Sequence, residues 1–445
     1  MTILNAAVKR LITPFKNLAG QTSLTTALTA ASLLAAMFFV FLSISLLQIF
    51  FGIVILLQLY SAFKKNTFKD MISSPFFYIS MLHALWAMVI MTCYRLWPDF
   101  DYVTEWLFFT IIIGFVKAVP VKERKALLAF LQKYLLTIFF YGGFIWTVPF
   151  LIDYFKFEAQ SHGLYGTVFT TGLLMALASF AAVYFFIKKK NITKKILFFA
   201  AAVLFVTVTI LSHKRSNIAG QFLSLGLFII VLANYRSTFF NLLCRSKKIL
   251  MVGFITLIAA TALILFKSNT VKQVQNTFTK GTAEYTRLNA LSSKRLEKGW
   301  AAVNVIYKAL QKGDWLQATA GFGFETLDEN AAKYAVYKQK NGKDYRQKIH
   351  LGSCEAVVPL NELYNWGIPG LLFTLAFYFL CFKLYYQLSR VQNFSLFYIL
   401  LMNMVIVNLI YRFFTWFHVS KNVFFLVLIA LAEEYLRQQK TKANS

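Results

Sequence analysis

The sequence predicts an all-α polytopic membrane protein of about 12 transmembrane helices, with one large, partly helical loop between the ninth and the tenth. Three observations predict it. Of 445 residues, 58% are hydrophobic and only 14% are charged, well below the charged quarter of a typical soluble domain. Apolar runs of roughly 20 residues, the length that crosses a hydrocarbon core, recur from Leu24 to Leu436 with basic clusters between them. Lys and Arg also concentrate in alternate gaps between the runs, as they do when one side of each loop pair faces the cytoplasm. Because the runs are continuously apolar and do not alternate, they predict helices and not a β-barrel.

In order along the chain, an amphipathic lead-in with Lys9, Arg10, Pro14 and Lys16 comes first. It lacks a short apolar core followed by a small-residue cleavage site, so it is expected to stay attached. Crossings are expected at 24–42, 45–63, 75–94, 102–119, 130–152, 165–187, 195–212, 217–235, 249–266, 367–386, 395–411 and 420–437, each boundary to within ~2–4 residues. The first two are joined tightly near Ser43 to Ser45. With the N-terminus inside, the inner segments hold 25 Lys and Arg. The short outer segments hold 6, namely Arg95, Lys156, Lys214, Arg215, Arg412 and Lys421. No segment breaks the alternation, so both termini are expected inside. Most of the +28 formal charge is thereby an orientation signal and calls for no nucleic-acid partner.

Three regions follow: 1–266 with crossings one to nine, an outer loop at 267–355, and 356–445 with the last three crossings. The loop carries 15 Lys and Arg against 8 Asp and Glu. Long loops escape the orientation rule, so this positive excess asks for another explanation. Within the loop, Ala302, Val303, Ile306, Tyr307 and Leu310 fall on one face of a helix over 301–312. Cys93, Cys244, Cys354 and Cys381 show no CxxC or Cys/His spacing, which argues against a metal site.

Several stretches carry residues suited to chemistry. Ser212-His213-Lys214-Arg215-Ser216-Asn217 places three cationic-capable side chains at an outer mouth, on the side the charge rule disfavours. Such groups tend to face a cavity or a ligand; the bland alternative is snorkelling to lipid headgroups. Arg287 and Ser292-Ser293-Lys294-Arg295, followed after the amphipathic helix by Gly321-Phe322-Gly323-Phe324, suggest a diphosphate clamp. A guanidinium fork pairs with phosphate oxygens, and a glycine pair admits close backbone approach. The alternative is a solvated basic loop with a glycine turn.

His350-Leu351-Gly352-Ser353-Cys354-Glu355 leads into Asn361-Glu362-Leu363-Tyr364-Asn365-Trp366-Gly367-Ile368-Pro369-Gly370. His350 or Glu355 at the membrane face is placed to take a proton from an acceptor hydroxyl, or else both solvate the loop as it re-enters the bilayer. Asp99 and Asp101 imitate a metal-binding pair but read as a solvated turn beside Pro98. His213, Arg412 and His418 are candidates for a pocket wall, with Lys421 beside them. Nothing matches a Walker A loop, a Ser-His-Asp set or a zinc site, so no metal is expected.

The order of these motifs carries a family resemblance. A Ser212-x-x-Arg215 knot, a long loop with Arg295-x-x-x-x-Trp300 and Gly321-x-Gly323, and Glu355 ahead of Gly367-Ile368-Pro369-Gly370 together resemble the bacterial O-antigen ligase and O-antigen polymerase superfamily. The likeness is clearest over 195–375. It implies transfer of a glycan from undecaprenyl diphosphate to an acceptor hydroxyl at the periplasmic face of the inner membrane, without a nucleotide sugar, a metal or a cofactor. It points first to O-antigen ligation onto lipid A core in lipopolysaccharide biosynthesis. Repeat-unit polymerisation is the alternative within the class, and a polysaccharide flippase or other transporter is the alternative outside it. The implied partners are the lipid-linked donor, lipid A core or another glycan acceptor, and membrane lipids.

By position, the resemblance implies that Lys214, Arg215, Arg287 and Arg295 hold the diphosphate. The family's His-Asn pair falls at Ala356, beside Glu355, so either Glu355 or the displaced His350 is implied as the base. The chemistry suits the residues: a sugar–diphosphate bond breaks with growing negative charge on the leaving group, which fixed cations stabilise while a base activates the hydroxyl.

Overall fold

A computed structural model of the chain describes residues 13, 15–96, 100–157, 168–212, 220–223, 225–226, 295–324, 326–336, 354, 357–391, 395–413 and 423–444. Among these residues there are helices and turns but no strand. In chain order they are α1 (Leu24–Phe39), α2 (Ile44–Lys64), α3 (Phe68–Ile72), α4 (Pro75–Cys93), α5 (Phe100–Thr110), α6 (Val121–Phe157) and α7 (Val168–Lys188), followed by α8 (Ile192–Leu211) and α9 (Arg295–Gln311). Then come α10 (Trp315–Ala320), α11 (Leu327–Lys333), α12 (Val358–Ser389), α13 (Leu396–Phe413) and α14 (Val423–Asn444).

Six helical stretches among the described residues are long and apolar enough to cross a membrane: Ile44–Lys64, Pro75–Cys93, Val121–Phe155, Thr171–Lys188, Ile192–Leu211 and Val358–Ser389. The chain is an all-α, multi-pass membrane protein, since only self-bonded helices spare the backbone from facing lipid unpaired.

Local chemistry sets where these helices begin. Ser43 is extended and its hydroxyl accepts the Leu46 N–H, capping α2 after the tight joint the sequence predicts. Pro75 opens α4 at a position where a missing N–H costs nothing. Asn191 caps α8 through the Lys194 N–H at 3.2 Å. Where α6 meets α7 the contact is made by small residues: a Cβ on Gly143 would lie 2.4 Å from the Cβ of Ala178.

The helices run antiparallel. Phe76 meets Phe377 and His83 meets Phe373 between α4 and α12. Tyr378 donates to the Leu409 carbonyl between α12 and α13. One end of the bundle gathers basic residues, among them Lys65, Lys117, Arg124, Lys188, Lys195 and Arg390; at the other, α9–α11 pack on the start of α12. We call these the charged end and the loop end.

The charged end is knitted by buried ion pairs. Arg124 is fully buried; its Nε donates to the Val119 carbonyl at 2.6 Å and its Nη2 to the Lys117 carbonyl and the Asp70 carboxylate. Lys117 reaches Glu433 of α14 at 2.8 Å, and the Ser74 hydroxyl donates to the same carboxylate. Glu123 accepts from the Ser23 and Thr26 hydroxyls and the Ser23 N–H.

Two expectations change. The run 102–119 is not one straight crossing: α5 stops at Thr110 and a tight 3-10 turn, Ile111–Gly114, follows. Side chains of the neighbouring elements satisfy the loosened backbone, with Gln58 donating to the Ile111 carbonyl and Ser61 and Thr67 to that of Ala118. The amphipathic helix of the loop exists, over Arg295–Gln311, with Ala302, Ile306 and Leu310 of the expected face packed on its core but the buried stripe turned away from Val303 and Tyr307. Ala301, Ala302, Val305 and Ala309 are inside, while Val303 and Tyr307 are exposed. Small alanines let α9 pack close to its neighbours along this stripe. The expected crossing at 249–266 lies outside the described residues, as does 217–235 apart from 220–223 and 225–226.

Candidate functional site

The loop end is built around a break in α12. Gly367 has φ 68° and ψ −162°, a left-handed backbone that glycine adopts without strain. Three carbonyls lose their helical partners at the break. That of Asn365 would need an N–H on Pro369, which proline lacks. Each freed carbonyl finds a substitute. Phe322 N–H donates to Tyr364 O at 2.8 Å, Gly323 N–H to Asn365 O at 3.0 Å, and the Trp86 indole of α4 to Trp366 O at 2.7 Å.

The Gly321-Phe322-Gly323 turn is therefore a backbone latch onto a broken membrane helix. Glycine is required on both sides of it: a Cβ on Gly367 would lie 2.1 Å from the Thr319 carbonyl, and one on Gly321 would lie 2.6 Å from the Asn365 carbonyl. Phe322 stacks on Tyr364 at 5.0 Å, and the Tyr364 hydroxyl meets Asn330 and Thr326. A second, small core of Ala301, Val305, Ala309, Leu327 and Tyr334 closes over them. Burial and the Asp314 carboxylate that accepts its proton push the Tyr334 phenol up, so it remains a donor.

Beneath the latch lies a polar group the sequence reading did not assign. His83 of α4 places Nε2 3.0 Å from Glu362 Oε2, with the histidine side chain 6% and the glutamate 14% exposed. The two atoms touch out of line for a hydrogen bond. Trp106 stands edge-on to the imidazole at 4.3 Å, and Phe373 closes another side at 5.9 Å. One turn on, on the same face as Glu362, Asn365 is 2% exposed and its Oδ1 has no donor. His83 is about 15 Å along α4 from its loop end at 1.5 Å per residue. The pair is thus set inside apolar helices, where ionisable groups are costly and usually functional.

Of the residues expected to act, Arg295 opens α9 and Arg412 stands in the last turn of α13, which ends at the loop end; for both, the helix position alone is described. His213, Lys214, Arg215, Arg287, His350, Glu355 and His418 lie outside the described residues. No known family's sequence profile matches the chain, and no curated protein does. Sequence reading quoted Glu362 without giving it a role and passed over His83. The signal was present: a histidine inside an otherwise uncharged apolar run is a functional residue by default.

Proposed function

We propose that the chain is a membrane glycosyltransferase that moves a glycan from undecaprenyl diphosphate to an acceptor hydroxyl at the periplasmic face of the bacterial inner membrane. Ligation of O-antigen to lipid A core is its favoured form. In this reading the chain crosses the membrane about 12 times and the 267–355 loop is periplasmic. The carrying observation is the latch: it ties the segment that begins at Arg295 to a broken helix with a buried acid–histidine pair below. A lipid-linked donor needs such a meeting of cationic loop and apolar helix, because its diphosphate is polar and its prenyl chain is not. Arg295 with Arg215, Lys214 and Arg287 would neutralise the leaving diphosphate. Exposed Val303, Tyr307, Trp315 and Leu316 give the loop segment apolar side chains for a bilayer surface.

Gel profiles of cell-surface polysaccharide from a deletion strain test the reading. Loss of long chains with accumulated lipid-linked polymer supports ligation, and a single-repeat ladder supports polymerisation. An unchanged profile would remove both. A transporter is the second reading, favoured by one observation: a buried acid–histidine pair beside a broken helix is also suited to holding a coupling ion. Purified protein separates the two, since glycan transfer in detergent needs no closed membrane and transport does.

A further inference from the structure

We propose that Glu362 is the proton acceptor of the transfer reaction and that His83 is the residue that positions it. This rests on the glycosyltransferase reading and names the group that serves it. Glu362 faces His83 at 3.0 Å, within walls of Trp106 and Phe373 that carry no charge. Glu362 Oε2 has the His83 Nε2 contact but no hydrogen bond in line with it, and Asn365 Oδ1 has no donor; the two are enclosed one turn apart on one face of the half-helix. Buried acceptors left unpaired are costly, so a pair of them in one place marks where donors arrive with a ligand. Hydroxyl groups of a glycan are donors of that kind. The pair stands just ahead of the break at Gly367, under the latch.

The step is then a displacement. The acceptor oxygen bonds to the anomeric carbon while that carbon's bond to the diphosphate oxygen breaks. The bonding pair leaves on the diphosphate, and the hydroxyl proton moves to the Glu362 carboxylate. His83 touches neither sugar nor phosphate; it holds the carboxylate in one orientation and so acts through it.

The test uses full-length protein with the lipid-linked glycan that accumulates in the deletion strain as donor. Glu362→Gln should lower the transfer rate by roughly a hundredfold or more, and Glu362→Asp should recover part of it, since a positioned base contributes about 10²–10⁴ in rate. His83→Ala should lower kcat with KM for the donor little changed, and His83→Gln, which keeps a polar group facing the carboxylate, should restore part of kcat. A structural role alone would lower the amount of folded protein and leave kcat per folded molecule intact. Wild-type transfer with an undiminished rate in folded Glu362→Gln overturns this inference and leaves the glycosyltransferase reading standing. If Glu362→Gln does not fold, an unchanged kcat in His83→Ala overturns it instead. Absence of transfer by the wild-type protein overturns both.

Discussion

Gly367 is where backbone chemistry and membrane placement meet. A substitution there meets two penalties at once: a positive φ that side chains resist, and a Cβ 2.1 Å from the Thr319 carbonyl. Gly52, inside α2, has open space around its Cβ position, so alanine there gains helix propensity and meets no neighbour. Gly367→Ala should therefore lower the melting temperature of the detergent-solubilised protein by several degrees, through about 1–3 kcal/mol of added backbone strain and lost latch hydrogen bonds. Gly52→Ala should leave it level or slightly raised. Equal melting temperatures for Gly367→Ala and wild type would show that the latch is not seated as described. Single residues also mark the limit of sequence reading. The glycine pair at 321 and 323 was visible as a turn, yet nothing in the sequence pairs it with Asn365, more than 40 positions away. A contact of that kind exists only once α12 has broken. Likewise His83 was legible as an odd residue in an apolar run, but its partner is supplied by a helix nearly 280 positions later.

At the scale of elements, most helices were readable because a membrane span needs only length and apolarity, and both are properties of a stretch of sequence. Breaks were not, because a helix breaks where something else is ready to satisfy its backbone. α5 ends at Thr110 because Gln58, Ser61, Thr67 and Arg124 collect the carbonyls of 111–119, and those residues belong to other elements. The inward face of α9 was legible in Ala302, Ile306 and Leu310 but not at its edge, where Ala301, Val305 and Ala309 turn in and Val303 and Tyr307 stay out. The face left outside has a consequence. Val303 and Tyr307 on α9, with Trp315 at 63% and Leu316 at 80% exposure on α10, form a patch that water would disfavour and an interfacial lipid layer would accept. In vesicles with brominated lipid, the fluorescence difference between wild type and Trp315→Phe should be strongly quenched. Quenching of that difference by aqueous iodide and not by bromolipid would place α10 in water.

Across the whole molecule, charge separates the two ends. Turns and helix ends from distant parts of the sequence bring Lys65, Lys117, Arg124, the Lys188 to Lys195 cluster and Arg390 to one end, though nothing in the fold requires like charges to gather. Acids offset only some of them: Glu433 holds Lys117, and Asp70 with the buried Glu434 flanks Arg124. The Lys188 to Lys190 tip stays exposed, as does Lys194. An exposed basic rim on one end of a membrane bundle is what the insertion machinery retains on the cytoplasmic side. The loop end carries a positive excess too, within 267–355, but there the basic residues sit in a long segment that orientation does not govern. The two ends therefore make opposite claims on labelling. In a variant lacking native cysteines, Lys312→Cys, exposed at the end of α9, should react with a membrane-impermeant maleimide added to spheroplasts, and Lys190→Cys, exposed between α7 and α8, should react only after lysis. The reverse pattern would turn the molecule over, put the latch and the His83–Glu362 pair nearer the cytoplasm, and end the case for a periplasmic transferase. Labelling of both positions before lysis would break the order in which α7 and α12 each run antiparallel to α13, which the packing of Tyr184 on Phe397, and of Tyr378 on Leu409, requires.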